Sequence, residues 1–237
     1  MSSFEIAKTD VVILCGGLGT RLGSEAKGRP KPMVDINGKP FLDILIDHVT
    51  SFGFTRIILC TGHKSQFVED YYLNNNKKAP NLLISEEKIP LGTGGAIKNA
   101  ETLIQSDSFI LLNGDSFCPV SLEKFCEFHQ ENKSQLSLTL THSKQTEAFG
   151  SVKLNDLSEI AGFDEKVSKG EAGLVNAGVY LFNTALLAKI KPGKKISLEY
   201  DFFPSFIGNR MFGYVTDANL LDIGTPEKLS IARNLLA

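Results

Sequence analysis

Three glycines, two cations and two aspartates are the residues of this chain whose types and spacing suit phosphate chemistry. Gly16, Gly17 and Gly19 break the apolar run Val11–Cys15 into a tight turn. Without a Cβ, glycine lets backbone N–H groups come close to a ligand, and successive N–H groups in such a turn form an anion-binding concavity. Arg21 follows at once, and Lys31 stands between Pro30 and Pro32. Proline fixes φ, so Lys31 is carried on a stiff support. Strand, glycine turn and two cations together describe a polyphosphate cradle. Two other phosphate motifs fail here. The dinucleotide pattern G-x-G-x-x-G needs glycine where Leu22 stands. A near match to the P-loop at 23–30 has Arg29 in place of its lysine and Pro30 in place of its metal-binding hydroxyl.

The aspartates lie far apart in the chain. Asp115 ends Asn113-Gly114-Asp115, and Asp222 opens Asp222-Ile223-Gly224. Magnesium prefers oxygen ligands, often one or two carboxylates together with phosphate oxygens. Two aspartates at distant strand ends suit that need, although N-G-D and D-x-G-T-P are each good turn sequences when taken alone. Glu86 and Glu87 precede a glycine-rich run, Pro90–Ala96. Those glycines read either as a second loop that approaches a flat ligand or as a loose start to a helix. A carboxylate only accepts hydrogen bonds. Guanine offers two adjacent donors on its Watson–Crick edge, whereas uracil and thymine flank one donor with acceptors. Were a nucleobase bound at this loop, Glu87, or failing it Glu86, would favour guanine over uracil or thymine.

Regular elements must bring these residues to one place. Val11–Cys15, Arg56–Thr61, Asn81–Ser85 and Phe109–Leu112 read as strands. Pro40–Phe52 sets Phe41, Leu42, Leu45, Ile46 and Val49 on one helical face, with Gly53 as its stop. Ser65–Asn74, Ala96–Ile104 and Ser121–Glu131 read as further helices, the last with Ser121 as N-cap. This alternation predicts an α/β fold, a doubly wound sheet of parallel strands with right-handed crossovers. Ligands bind such sheets beyond the carboxyl ends of the strands, where Gly16–Arg21, Glu86–Gly95 and Asn113–Asp115 fall. Gln135–Thr141 alternates as a strand. After about residue 145 shorter strands are expected at Gly150–Leu154, Ile160–Phe163 and Val175–Phe182, then a helix at Ser197–Phe206, a strand at Phe212–Asp222 and a closing helix at Pro226–Leu236. We read 1–237 as a single domain, with a part at about 10–145 and a smaller β-rich subregion at about 146–237 built onto the same sheet.

Composition removes several classes. The net charge of −2 gives no global pull toward nucleic acid or an anionic membrane, so phosphate must be met by locally placed cations. Cys15, Cys60, Cys118 and Cys126 show no C-x-x-C spacing and read as buried thiols, which suits a reducing cytoplasm. The start MSSFEIAKTD does not read as a signal peptide, and no apolar run is long enough to span a bilayer. His48, His63, His129 and His142 are not spaced as a metal pair, and the absence of G-x-S-x-G argues against hydrolase chemistry.

The string LCGGLGTRL with its trailing P-K-P resembles the signature of the sugar-1-phosphate nucleotidyltransferases. With PLGTGGAI, LNGD and DIGTPE, the resemblance runs from about Val11 to Leu235. It is closest to the short heptose-1-phosphate and mannose-1-phosphate guanylyltransferases, which lack a C-terminal left-handed β-helix. It implies a Rossmann-like, mostly parallel mixed sheet whose later part faces the sugar. It also implies nucleotide contacts from Leu14, Gly16, Gly17, Gly19, Thr20, Arg21, Glu87, Gly92 and Thr93, catalytic roles for Arg21, Lys31 and Asp115, and a Mg²⁺ cofactor on Asp115 and Asp222. Asp164-Glu165-Lys166-Val167 resembles the family's E-K-P motif, with Val167 where proline is usual; Glu165 and Lys166 would meet the sugar phosphate. Asn176-Ala177-Gly178 resembles the N-A-G segment that hydrogen-bonds sugar hydroxyls, and Gly150 belongs to the same implied subsite. Glu199-Tyr200-Asp201 either does likewise or caps a surface helix.

The partners implied are a nucleoside triphosphate and a sugar 1-phosphate, with no nucleic acid and no membrane; a homo-oligomer is left open. The expected reaction is attack by a sugar-1-phosphate oxygen on the α-phosphorus, releasing pyrophosphate and giving a GDP-sugar for surface polysaccharide. The rivals are mannose 1-phosphate as the sugar, cytidylyl, uridylyl or thymidylyl transfer to another hexose phosphate, and a non-catalytic nucleotide-sugar sensor. A sensor should have lost a metal aspartate or Lys31, and all are present.

Overall fold

The computed structural model describes residues 4–17, 19–26, 28–73, 81–143, 151–164 and 172–236. Its strands are β1 (Asp10–Leu14), β2 (Asp35–Ile36), β3 (Lys39–Pro40), β4 (Arg56–Thr61), β5 (Asn81–Glu86), β6 (Ser108–Asn113), β7 (Ser116–Phe117), β8 (Leu136–Ser143), β9 (Ser151–Leu154), β10 (Ile160–Asp164), β11 (Gly173–Asn183), β12 (Met211–Thr216) and β13 (Leu221–Asp222). The principal helices are α1 (Phe41–Ser51), α2 (Ser65–Tyr72), α3 (Gly92–Asn99), α4 (Leu122–Glu131) and α5 (Pro226–Leu235).

Seven strands form one sheet in the order β5-β4-β1-β6-β11-β8-β12. β1 lies parallel between β4 and β6, β4 is parallel to β5, and β12 is parallel to β8. Only β11 runs against its neighbours β6 and β8 within this sheet. The chain winds outward from β1 through β4 to β5, then returns to place β6 on the other side of β1. That reversal makes the carboxyl ends of β1 and β6 the switch point, where a crevice opens in sheets of this kind.

Both faces of the sheet are covered, so the interiors of its central strands β1, β4 and β6 read as continuous apolar runs, whereas β8 alternates leucine with the buried Ser137, Thr139 and Thr141. Val11, Ile13, Ile57, Leu59, Ile110 and Leu112 pack with α1, α2, α4 and α5 on one side. Val12, Ile58, Phe109 and Leu111 pack on the other with Ile97 of α3 and with Leu198, Phe202, Phe203 and Phe206. The four cysteines are free and buried, as expected, and burial pushes the Cys60 and Cys126 thiols up to about 12.

Several elements differ from the sequence reading, among them the helix expected at Ser197–Phe206, which is a π-helical turn at Leu198–Phe202 followed by an α-helical turn at Phe203–Phe206. α3 begins at Gly92 instead of Ala96 and ends at Asn99, with a separate 3-10 turn at Glu101–Leu103. A tertiary contact overrides glycine's poor helix propensity: the carbonyl of Ile196 accepts the N–H groups of Gly94 (2.8 Å) and Gly95 (3.4 Å). The strand expected at Phe212–Asp222 is two strands, β12 and β13, in different sheets. The later strands are also not all short, since β11 has 11 residues and lies inside the main sheet, while β9 and β10 form a small hairpin of their own.

At the opposite end of the sheet from the crevice, His129 is 4% exposed and bonded to Ser137 Oγ (2.8 Å) and Asn183 Oδ1 (3.3 Å). Burial lowers its pKa to about 4. The unfolded chain then binds a proton below about pH 6.5 that the folded chain refuses until about pH 4. Stability from this residue is present above pH 6.5 and lost as pH falls through that window, by about 3 kcal/mol in all. Denaturant unfolding at pH 7 and pH 4.5 should show this loss, and His129→Gln, which does not titrate, should flatten it.

Candidate active site

The glycine turn leaves β1 at the switch point. Gly17 has open space where a Cβ would stand, so its backbone is free for a ligand to approach. Gly19 has φ of 65°, and a Cβ there would lie 3.2 Å from Lys31 Cβ. Glycine at this position therefore lets the Pro30–Pro32 segment pack against the turn. Thr20 and Arg21 begin a pair of 3-10 turns, and Arg21 is exposed. Leu14 closes the junction between strands, its carbonyl accepting the N–H of Gly114 at 3.0 Å. A Cβ on Gly114 would collide with that same carbonyl, so glycine there is what lets β6 end beside β1.

Lys31 is the centre of the charged cluster. The residue is 5% exposed, and its Nζ lies 2.7 Å from Asp115 Oδ2 and 3.9 Å from Asp222 Oδ1. The aspartates meet because β13 pairs antiparallel with β7, setting Asp222 opposite Ser116, and because Ile223 N–H donates to the Asp115 carbonyl at 3.1 Å. Asp222 is held further by Lys228 Nζ on Oδ2 and by the Gly224 N–H on Oδ1, both at 2.6 Å. Two carboxylates converging on one ammonium form a site built for positive charge, and the donor set suits a divalent ion that completes its shell with phosphate oxygens.

Glu87 follows β5 and lies against the glycine turn. Its Oε2 accepts the Leu91 N–H at 3.0 Å, and its Oε1 faces Gly16 and Gly62, where an added Cβ would lie 3.0 and 2.9 Å away. Burial raises its pKa above the usual carboxylate value. The Glu87 carboxylate thus lies against the glycine turn.

A family model described as nucleotidyl transferase matches residues 10–237. The chain belongs to the nucleotidyl transferase family. Among relatives of this nucleotidyl transferase, the D-glycero-alpha-D-manno-heptose 1-phosphate guanylyltransferase of Aneurinibacillus thermoaerophilus is 37% identical over 219 residues, which is 92% of this chain and 94% of that one. The mannose-1-phosphate guanylyltransferase of Mycobacterium tuberculosis is 31% identical over 223 residues, 93% of this chain and 62% of that one. The crystal structure of HddC from Yersinia pseudotuberculosis complexed with GMP-PN superposes with a TM-score of 0.85 at 37% identity, covering 97% of this chain and 100% of the other.

Other residues expected from the sequence of this nucleotidyl transferase divide into two groups. Gly92 and Thr93 are not in an open loop. They start α3 and face the segment 194–199: Gly92 has φ of 71°, and a Cβ there would lie 2.6 Å from the Ile196 carbonyl oxygen. Thr93 Oγ1 donates to Glu199 Oε2 (3.0 Å) and accepts the Leu198 N–H (2.8 Å). Asn176 sits at a break in the β11 register, its Nδ2 donating to the Tyr180 hydroxyl at 2.8 Å and its Oδ1 accepting the Gly178 N–H at 3.0 Å. Gly150, Glu165 and Lys166 lie outside the described residues.

Sequence reasoning missed Gly62, Tyr180 and Lys228, and it placed Asn113 at the site without giving it a role of its own. Asn113 Nδ2 donates to the Tyr180 hydroxyl at 3.3 Å, and its buried Oδ1 has no partner among the described residues. The available signals were Asn113 beside the Gly-Asp pair and Lys228 in the first turn after D-I-G-T-P-E.

Proposed function

We propose that this nucleotidyl transferase transfers GMP from GTP to a sugar 1-phosphate, D-glycero-α-D-manno-heptose 1-phosphate first among candidates, giving a GDP-sugar and pyrophosphate in the cytoplasm. The observation that carries this reading is the convergence of Lys31, Asp115 and Asp222 beside the glycine turn, with Glu87 lying against that turn. The names of the relatives support the guanylyl group and the heptose. The M. tuberculosis relative favours mannose 1-phosphate as the second reading. No helix among the described residues is long and apolar enough to cross a membrane.

The reaction forms a bond from a sugar-phosphate oxygen to the α-phosphorus and breaks the bond from that phosphorus to the β-bridging oxygen. The attacking phosphate has a second pKa near ~6 and is already mostly dianionic at neutral pH, so the step needs no general base. The obstacle is the approach of two anions, and catalysis is positioning plus charge neutralisation. The backbone at Gly17, open on its Cβ side, and the exposed Arg21 receive the triphosphate. Asp115 and Asp222 would hold Mg²⁺, which when bound supplies positive charge at the α-phosphate. Lys31 keeps the two carboxylates together and presents its ammonium at the same place. Glu87 accepts from guanine through Oε1, since Oε2 is already taken by Leu91.

Pyrophosphate release is the test, with Mg²⁺, the four triphosphates GTP, CTP, UTP and dTTP, and heptose and mannose 1-phosphates in parallel. GTP with heptose 1-phosphate should turn over fastest; a preference for UTP or dTTP would refute the assignment of the base. Glu87→Gln should lower kcat/KM for GTP by about tenfold to a hundredfold, the worth of a hydrogen bond to a charged group.

A further inference from the structure

We infer that Lys228 is a positioning residue that confines Asp222 to one coordinating oxygen and so selects a magnesium-sized ion over calcium. This rests on the reading that Asp115 and Asp222 hold a divalent ion. The two oxygens of Asp222 are not equivalent. Oδ2 is bound by the Lys228 ammonium at 2.6 Å. Oδ1 accepts the Gly224 N–H at 2.6 Å and is the oxygen nearer Lys31, at 3.9 Å. Asp222 is therefore turned with Oδ1, not Oδ2, toward Lys31, the ammonium that also binds Asp115.

Lys228 is itself fixed. Its own N–H is capped by Thr225 Oγ1 at 3.3 Å, and α5 is anchored by the buried Leu229 and Ala232. The carboxylate is gripped from a rigid element, and turning it to offer both oxygens would break the ion pair.

The two ions differ in what they accept. Mg²⁺ demands near-octahedral oxygens at about 2.1 Å and keeps room for water and phosphate, which single-oxygen carboxylates provide. Ca²⁺ takes more ligands, at about 2.3–2.6 Å, and readily uses both oxygens of one carboxylate. Blocking Oδ2 thus removes a contact that calcium would gain and magnesium would not. Mg²⁺ and Ca²⁺ carry the same charge, so the repulsion each feels from the Lys228 ammonium cancels in the ratio of their affinities. The ratio reads orientation alone.

The test titrates the intact protein with Mn²⁺, follows free Mn²⁺ by electron paramagnetic resonance, and then displaces the bound ion with Mg²⁺ or Ca²⁺. In Lys228→Met the affinity for Ca²⁺ relative to Mg²⁺ should rise about tenfold, the scale on which partners of metal ligands act. Lys228→Leu, which likewise has no donor, should do the same, which covers the case in which the Met variant folds poorly. Lys228→Arg, which keeps a donor on Oδ2, should stay close to the parent ratio. An unchanged ratio in the Met or Leu variant overturns the role of Lys228 while leaving the metal reading intact. Mn²⁺ binding that is absent from the parent, or unaffected by Asp115→Asn, overturns both.

Discussion

Asp115→Asn should reduce turnover by about 10³-fold, the upper range for removal of one preorganised electrostatic group, while leaving the chain folded. The separation follows from how the residue is held. The backbone around it is fixed by Gly114 N–H on the Leu14 carbonyl and by Ile223 N–H on the Asp115 carbonyl, neither of which involves the side chain. Asparagine has the same shape and loses only charge. The pair with Lys31 loses its negative partner, and the Lys31 side chain is only 7% exposed, but the amide oxygen still accepts from the ammonium and the Asp115 side is 45% exposed, so the stability loss should be about 1–2 kcal/mol. Pyrophosphate release and thermal unfolding, measured on the same preparation, check both halves. Turnover within tenfold of the parent would place the chemistry elsewhere.

Lys31→Met should be nearly as damaging to turnover, by about 10²-fold or more, yet should bind a divalent ion more tightly than the parent. Lys31 is buried, and methionine replaces its apolar stem without a large cavity. What disappears is the ammonium between Asp115 and Asp222. An ammonium and a divalent ion compete for the same two carboxylates, so removing one favours the other. Because a ligand that binds only the folded state raises its stability, added Mg²⁺ should lift the Tm of Lys31→Met more than that of the parent. An equal lift in both would mean that Lys31 and the ion do not share a site.

Much of the site was legible because it is local. Val11–Met33 contains the strand, the glycine turn, Arg21 and the rigid Lys31 in one continuous stretch, and short-range sterics decide its shape. The apolar runs marked the buried central strands for the same reason, since strands covered on both faces read as continuous apolar runs. The Pro90–Ala96 run was harder to interpret. Its glycines serve a contact with the segment 194–196, and nothing within the run shows a partner about a hundred residues away in the chain. Lys228 was overlooked because a lysine in the first turn of a helix normally faces water.

By itself, the sequence determined the alternation of strands and helices, the anion-binding turn after β1 and the chemical types gathered at strand ends. These depend on neighbours within a few residues, through φ preferences and burial patterns. Only the tertiary structure decided that β12 and β13 part company. That break, and the pairing of β13 with β7, carry Asp222 to Asp115 and set both on Lys31. Strand pairing across a hundred residues depends on how the whole sheet closes, and electrostatic coupling between these groups exists only once it has closed.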